Sequence, residues 1–165
     1  MDTSEDMSMR RIPVVTMGVM ALGVSVTLGA QRLPWYSVPV VPGPAGNFTC
    51  VTRPTGVPVP VATITCDPGK MSQMPPDAQA FLMAHEHGHV HQIVHGLQFS
   101  SNPEADADCY AATFMATTNV QSLMGAVRWL EQVLGPYGGD SLHGNGFQVA
   151  QFARQCAARV GVVIP

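Results

Sequence analysis

Proline is concentrated in one part of this chain, and this distribution constrains the fold more than any other feature. Ten of the 14 prolines lie between Pro34 and Pro76. Each proline restricts φ to about −65° and lacks a backbone N–H, so a dense set of them disfavours a long helix. We therefore expect this half to be extended, with strand-forming runs at 48–53 and 59–65 joined as a hairpin. Residues 31–47 are predicted to be an extended lead-in to that hairpin.

The chain changes character after Pro76, where helix start and stop signals recur. The triplet Asn102-Pro103-Glu104 is a helix start signal, and Gly96 and Gly135 are stop signals. The predicted helices are 77–95, 103–117, 120–134 and 147–160. This pattern predicts an α+β fold with a single domain at 31–165, in which a proline-rich β-hairpin is followed by about four helices.

The first thirty residues are predicted to be an export segment. Residues 12–30 are uncharged and directly follow Arg10-Arg11, which is the order of charge and apolar core found in a signal peptide. Their length of 19 residues also approaches that of a membrane-spanning helix, although Pro13 and three glycines disfavour a permanent anchor. We expect 1–30 to be a signal peptide or a membrane anchor. The domain is then periplasmic or secreted, and it contacts a membrane only if 12–30 is retained.

The charge and the cysteine content limit which partners and which cellular compartment are expected. Charged residues make up 12% of the chain and the formal net charge is −3, which does not fit a basic nucleic-acid surface, so no nucleic-acid partner is expected. All four cysteines follow the export segment, and an exported domain favours two disulfides. Proximity favours Cys50 with Cys66 and Cys109 with Cys156, which is one of three connectivities.

Five of the six histidines lie on the first long predicted helix, and part of this cluster has metal-ligand spacing. The run His85-Glu86-His87-Gly88-His89 satisfies the pattern H-E-x-x-H. On a helix His85 and His89 are about 40° apart around the axis, so both imidazoles can reach one Zn²⁺. Glu86 lies beside them and is placed to take a proton from metal-bound water.

The start of the next helix offers further ligands. Glu104 can be the third ligand, which leaves a fourth position for water. Asp108 lies one turn later on the same face and can accept a hydrogen bond from a ligating histidine. Simpler interpretations remain open for both residues. The helix dipole alone favours an acid at Glu104, and Asp108 is equally well explained as a surface carboxylate.

Together these segments resemble the gluzincin class of zinc metallopeptidases, in particular its small single-domain members. The resemblance covers 77–115 and rests on FLMAHEHGHV followed by EADADCYAA. It implies a small zincin-like domain with one Zn²⁺ held by His85, His89 and Glu104. The implied activity is hydrolysis of a peptide or protein substrate, with Glu86 as general base and then general acid.

Two further roles follow from the resemblance alone. The hairpin is similar to the edge strand that aligns substrate in such enzymes. His143 lies in a D-x-x-H loop, Asp140-Ser141-Leu142-His143, whose histidine stabilises the oxyanion in some members. A surface position in a flexible loop is the other interpretation of His143.

The remaining histidines leave a second function open. His87, His91 and His95 form a separate row with four-residue spacing, which is interpreted as a polar, partly exposed face or as a second metal site. A helix carrying five histidines also suits a non-enzymatic exported metal-binding protein, a buffer or carrier of Zn²⁺, Ni²⁺ or Cu²⁺. In such a protein His85, Glu86 and His89 belong to a solvated His-rich helix, and Glu86 has no chemical role.

Overall fold

A computed structural model describes residues 34–56, 61–97, 101–136, 139–140 and 144–165. The predicted export segment at 12–30 and the predicted catalytic residue His143 lie outside these residues. Among the helices that are described, none combines the length and the apolar character needed to cross a membrane.

Three strands form a mixed sheet in the proline-rich half of the chain. They are β1 (Val40–Pro42), β2 (Cys50–Pro54) and β3 (Ala62–Cys66), in the spatial order β1-β3-β2. Strands β2 and β3 pair antiparallel, which confirms the predicted hairpin. Both β1 and β2 end at a proline, where the missing N–H removes least from the ladder.

Strand β1 adds to the prediction for the lead-in. Its three residues pair parallel with β3, with Val40 opposite Ile64. A three-residue strand that ends in proline has no alternation of apolar and polar side chains, so periodicity does not reveal it. The extra pairing makes β3 the central strand and leaves β2 at an edge of the described sheet.

The helices follow the sheet, and their ends match the start and stop signals. They are α1 (Pro68–Met71), α2 (Pro76–His95), α3 (Pro103–Thr118), α4 (Val120–Trp129) and α5 (Gly146–Arg159). Helix α2 ends at Gly96, whose φ of 69° is in the left-handed region. The Asn102, Asn119 and Asn145 side chains accept backbone N–H bonds at the starts of α3, α4 and α5.

Besides β1, four short elements were not predicted. The four-residue α1 is capped by Asp67, which accepts hydrogen bonds from two backbone N–H groups. The predicted helix at 120–134 changes to a π-helical turn over Leu130–Leu134. Two short strands, β4 (Gly139–Asp140) and β5 (Gly144–Asn145), pair antiparallel. The α+β class is confirmed.

Helix α2 lies between the sheet and the other helices, and two apolar clusters bury it. On one side Val90 packs with Ala62 and Ile64 of β3. On the other, Phe81 and Ala84 join residues of α3, α4 and α5. Because both sides are covered, polar side chains of α2 are buried as well, and these include His85 and Glu86 of the H-E-x-x-H motif, whereas His89 is partly buried.

Two disulfides cross-link the fold. Cys50–Cys66 joins β2 to β3, and Cys109–Cys156 joins α3 to α5. This is the pairing favoured by proximity in the sequence. Two disulfides indicate an oxidising compartment.

Candidate metal centre

Three predicted ligands converge on one point between α2 and α3. The Nε2 atoms of His85 and His89 are 3.0 Å apart, and Glu104 Oε2 lies 3.3 Å from His85 Nε2 and 3.1 Å from His89 Nε2. Tetrahedral zinc with bonds of about 2.0 to 2.1 Å separates its ligand atoms by about 3.3 Å. The three side chains therefore form a group that can hold a metal ion.

A close helix crossing brings Glu104 to the histidines. At Gly88, between His85 and His89 on α2, an added Cβ would lie 2.8 Å from the Cα of Ala107 and 3.0 Å from its carbonyl oxygen. Only a residue without a side chain allows the two backbones to approach this closely. Gly88 is an unspecified position of the H-E-x-x-H pattern, yet in this chain it sets the distance between the two ligand-bearing helices.

A second set of hydrogen bonds orients the histidine rings. His85 Nδ1 donates to Asp108 Oδ1 at 2.8 Å, and His89 Nδ1 donates to Gln92 Oε1 at 2.9 Å. With protons on both Nδ1 atoms, the Nε2 atoms are the ones that face the point shared with Glu104, where a metal ion can replace a proton. Asp108 is buried, so its interpretation as a surface carboxylate is wrong.

The electrostatics of the site favour a cation. Burial by itself lowers the pKa of His85, but its hydrogen bonds to Asp108 and Glu104, with the nearby charge of Glu86, outweigh burial and raise that pKa well above its ordinary value. The carboxylates that favour a proton on His85 also attract a metal ion, because both carry positive charge.

Glu86 lies beside the three ligands, and β2 holds it. Its side chain is buried, and Thr52 Oγ1 donates to Glu86 Oε2 at 2.6 Å. The Thr52 hydroxyl oxygen is also 3.2 Å from the Glu86 carbonyl oxygen. This contact fixes the edge strand β2 against the helix that carries the motif.

Two cavities meet at the site. A cleft of about 340 Å³ is bounded by β2, the metal-ligand side chains and Pro103. A larger cavity of about 910 Å³ extends from His85 and Glu86 towards α4. Apolar side chains make up much of its lining, among them Phe81, Leu82, Trp129, Leu130 and Val133.

The structure corrects the prediction for one histidine of the second row. His87 is only 2% exposed, because the Trp35 ring stacks on it with centroids 3.6 Å apart. Burial lowers the pKa of His87 to about 4, so this ring is neutral at physiological pH. His91 is partly buried and His95 is exposed. The prediction of a polar, partly exposed face is therefore wrong for His87 and correct for His91 and His95.

Sequence reasoning missed two residues that contact the site. Gln92 lies three positions after His89, a spacing at which helical side chains meet, so its role had a weak sequence signal. Thr52 had none, because it is 34 positions away from Glu86 and the two meet only through packing of the sheet on α2. Cys109 lies in a disulfide and is not a free thiol.

Comparison of the chain with protein-family models, with curated proteins and with solved structures finds no match. The functional argument therefore depends on the geometry of this site.

Proposed function

We propose that this protein is a zinc-dependent peptidase that cleaves peptide bonds with an activated water molecule. The observation that carries the proposal is the convergence of His85, His89 and Glu104 within 3.3 Å of one another, with buried Glu86 next to them. Two imidazoles and one carboxylate form a ligand set of catalytic zinc sites, which keep a fourth position open.

When bound, Zn²⁺ supplies a Lewis acid that lowers the pKa of a water ligand and polarises the scissile carbonyl. Glu86 accepts the proton of the attacking water and delivers it to the leaving amine. Thr52 keeps the Glu86 carboxylate in place through its 2.6 Å hydrogen bond. For His143, outside the described residues, we keep the proposal that it donates a hydrogen bond to the oxyanion.

The edge strand and the cleft beside the site support a peptide as the substrate. Strand β2 is at an edge of the sheet and lines the cleft next to Glu86, so an extended chain laid along it passes the ligands. The adjoining cavity of about 910 Å³ has an apolar lining. We therefore infer a substrate with a large apolar side chain close to the bond that is cleaved.

The compartment is part of the same proposal. The disulfides indicate an oxidising environment, and we propose that the domain acts in the periplasm or after secretion. Its substrates are then exported peptides or unfolded segments of exported proteins.

Replacement of Glu86 by Gln tests the proposed mechanism. We expect Glu86→Gln to bind as much zinc as the parent, because Glu86 is not a ligand, and to lower kcat by about 100- to 10,000-fold, since the general base is lost. Metal analysis of the purified protein and cleavage of casein give the two readouts. Asp106→Asn is the matched control, because this acid lies exposed on α3, and it is expected to cleave at the parental rate.

The same variant separates the peptidase from a non-enzymatic metal carrier. A carrier requires the ligands but not Glu86. Parental cleavage by Glu86→Gln contradicts the mechanism, and a parent that binds zinc but cleaves no peptide supports the carrier. The hydrogen bond from Thr52 and the apolar cavity beside Glu86 favour the peptidase.

A further inference from the structure

We propose that Tyr36, His91 and His95 form a second metal site, for a divalent transition-metal ion, on the far side of α2 from the first. His91 and His95 repeat the four-residue spacing of His85 and His89. His91 is about 200° around the helix from His89, so the two pairs face different directions. This inference does not depend on the proposed peptidase activity.

The donor atoms of this second site already lie close together. Tyr36 Oη is 2.7 Å from His91 Nδ1 and 3.3 Å from His95 Nε2. With metal–ligand bonds of about 2.0 Å, ligand atoms are about 2.8 Å apart at a right angle and about 3.3 Å apart at the tetrahedral angle. Both separations from Tyr36 Oη therefore fit one ion bound by this phenolic oxygen and the two imidazoles.

The surroundings hold two of these side chains in place. The Tyr110 ring lies against the His91 ring, with centroids 5.3 Å apart. The Tyr110 hydroxyl donates to the carbonyl oxygen of Pro34, two residues before Tyr36. This bond ties the lead-in to α3, and Tyr36 in the lead-in contacts both histidines.

Access and chemistry decide which ion fits. His95 is exposed, so an ion can enter from solvent. Imidazole suits Zn²⁺, Ni²⁺ and Cu²⁺, and Cu²⁺ binds a given nitrogen and oxygen site most tightly among these ions. Copper(II) is therefore the most sensitive probe for the site, although zinc and nickel belong to the same ligand chemistry.

Copper titration of the untagged full-length protein tests the proposal, with equilibrium dialysis and metal analysis as the readout. We expect the parent to bind two equivalents of Cu²⁺. The double variant His91→Ala/His95→Ala is expected to bind one, and so is His85→Ala/His89→Ala. The single variant His95→Ala, at an exposed position, is expected to lose the second equivalent with an unchanged thermal unfolding temperature.

Two further variants refine the assignment. Tyr36→Phe is expected to abolish the visible phenolate-to-copper charge-transfer absorption, because the phenolic ligand is gone. Val94→Ala, exposed and next to His95, is the matched control and is expected to retain both equivalents. An equal absorption in Tyr36→Phe and the parent would overturn the role of Tyr36.

The stoichiometries also distinguish failure of this site from failure of the zinc centre. A parent that binds one equivalent, lost in His85→Ala/His89→Ala and kept in His91→Ala/His95→Ala, overturns the second site and leaves the first intact. Two equivalents that both survive His91→Ala/His95→Ala also overturn it. One equivalent lost only on removal of His91 and His95 supports the second site and contradicts the zinc centre.

Discussion

At the scale of single residues, the two histidines of the candidate metal centre have chemically different hydrogen-bond acceptors. His85 is backed by the carboxylate of Asp108, whereas His89 is backed by the neutral amide of Gln92. Gln92 has a second contact, because its Nε2 donates to the Pro103 carbonyl oxygen at 2.5 Å. Pro103 directly precedes Glu104, so Gln92 links one ligand to the backbone that carries another.

Replacement of Gln92 by Ala tests this link. We expect Gln92→Ala to lower zinc affinity by about 10- to 100-fold, as loss of such supporting hydrogen bonds does at other metal sites. The His89 ring loses the acceptor that orients it, and the start of α3 loses an anchor. Competition with a chromophoric chelator measures the affinity. Gln132→Ala, at an exposed position, is the matched control, and equal affinities for the two variants would contradict the role of Gln92.

The residue scale also shows where sequence reasoning succeeds. His85, Glu86 and His89 could be predicted because helical spacing alone places them together. Their contacts from other elements could not. Thr52 reaches Glu86 from β2, and Trp35 covers His87 from the lead-in, and neither sequence distance nor periodicity reports such pairings.

At the scale of elements, the crossing of α2 and α3 decides whether the ligands meet. Glycine in an exposed helix costs about 1 kcal/mol relative to alanine, so Gly88→Ala would stabilise an isolated α2. In this structure the new methyl group meets the Ala107 backbone, which cannot rotate away as a side chain can. Packing therefore opposes helix propensity at this position. Whether Gly88→Ala raises or lowers the free energy of unfolding shows which of the two dominates.

We expect Gly88→Ala to destabilise the protein by about 1 to 3 kcal/mol, the usual cost of overpacking. It should also weaken zinc binding, because Glu104 moves away with α3. Urea unfolding and chelator competition measure the two effects. In Gly125→Ala the obstructing atoms belong to the Asp77 side chain, so this control is expected to retain zinc affinity. A more stable Gly88→Ala protein with parental affinity would refute the argument.

Element boundaries were predictable where capping chemistry marks them. Gly96 marks the end of α2 and Asn102 marks the start of α3, as the sequence predicts. Strand β1 was not predictable, because only its pairing with β3 defines it. The pairing of β1 with one side of β3 leaves β2 at the edge of the described sheet. The position of that edge next to Glu86 is set by the tertiary fold and not by local sequence.

At the scale of the whole molecule, each disulfide stabilises one of the two layers that enclose α2. Cys50–Cys66 lies within the sheet, and Cys50 also lines both cavities beside the site. Cys109–Cys156 lies in the helical layer, where Cys156 is fully buried. The two bonds close loops of different length, with sequence separations of 16 and 47 residues.

The loop lengths predict unequal contributions to stability. In the chain-entropy description the longer loop restricts the unfolded chain more. We expect Cys109→Ala/Cys156→Ala to lower the free energy of unfolding by about 4 kcal/mol, and Cys50→Ala/Cys66→Ala by about 3 kcal/mol. Urea unfolding of both variants without metal gives these values, with the parent in a phosphine reductant as a check on loss of both bonds.

Although removal of Cys50–Cys66 is expected to cost less stability than removal of Cys109–Cys156, it is expected to cost more activity. Removal of Cys50–Cys66 frees β2, which holds Glu86 through Thr52, whereas Cys109–Cys156 is not among the residues that line the cleft. Casein cleavage well below the unfolding temperature is therefore expected to fall more in Cys50→Ala/Cys66→Ala than in Cys109→Ala/Cys156→Ala. The reverse order would mean that β2 keeps its position without the disulfide, because pairing with β3 alone is enough to hold the edge strand against α2.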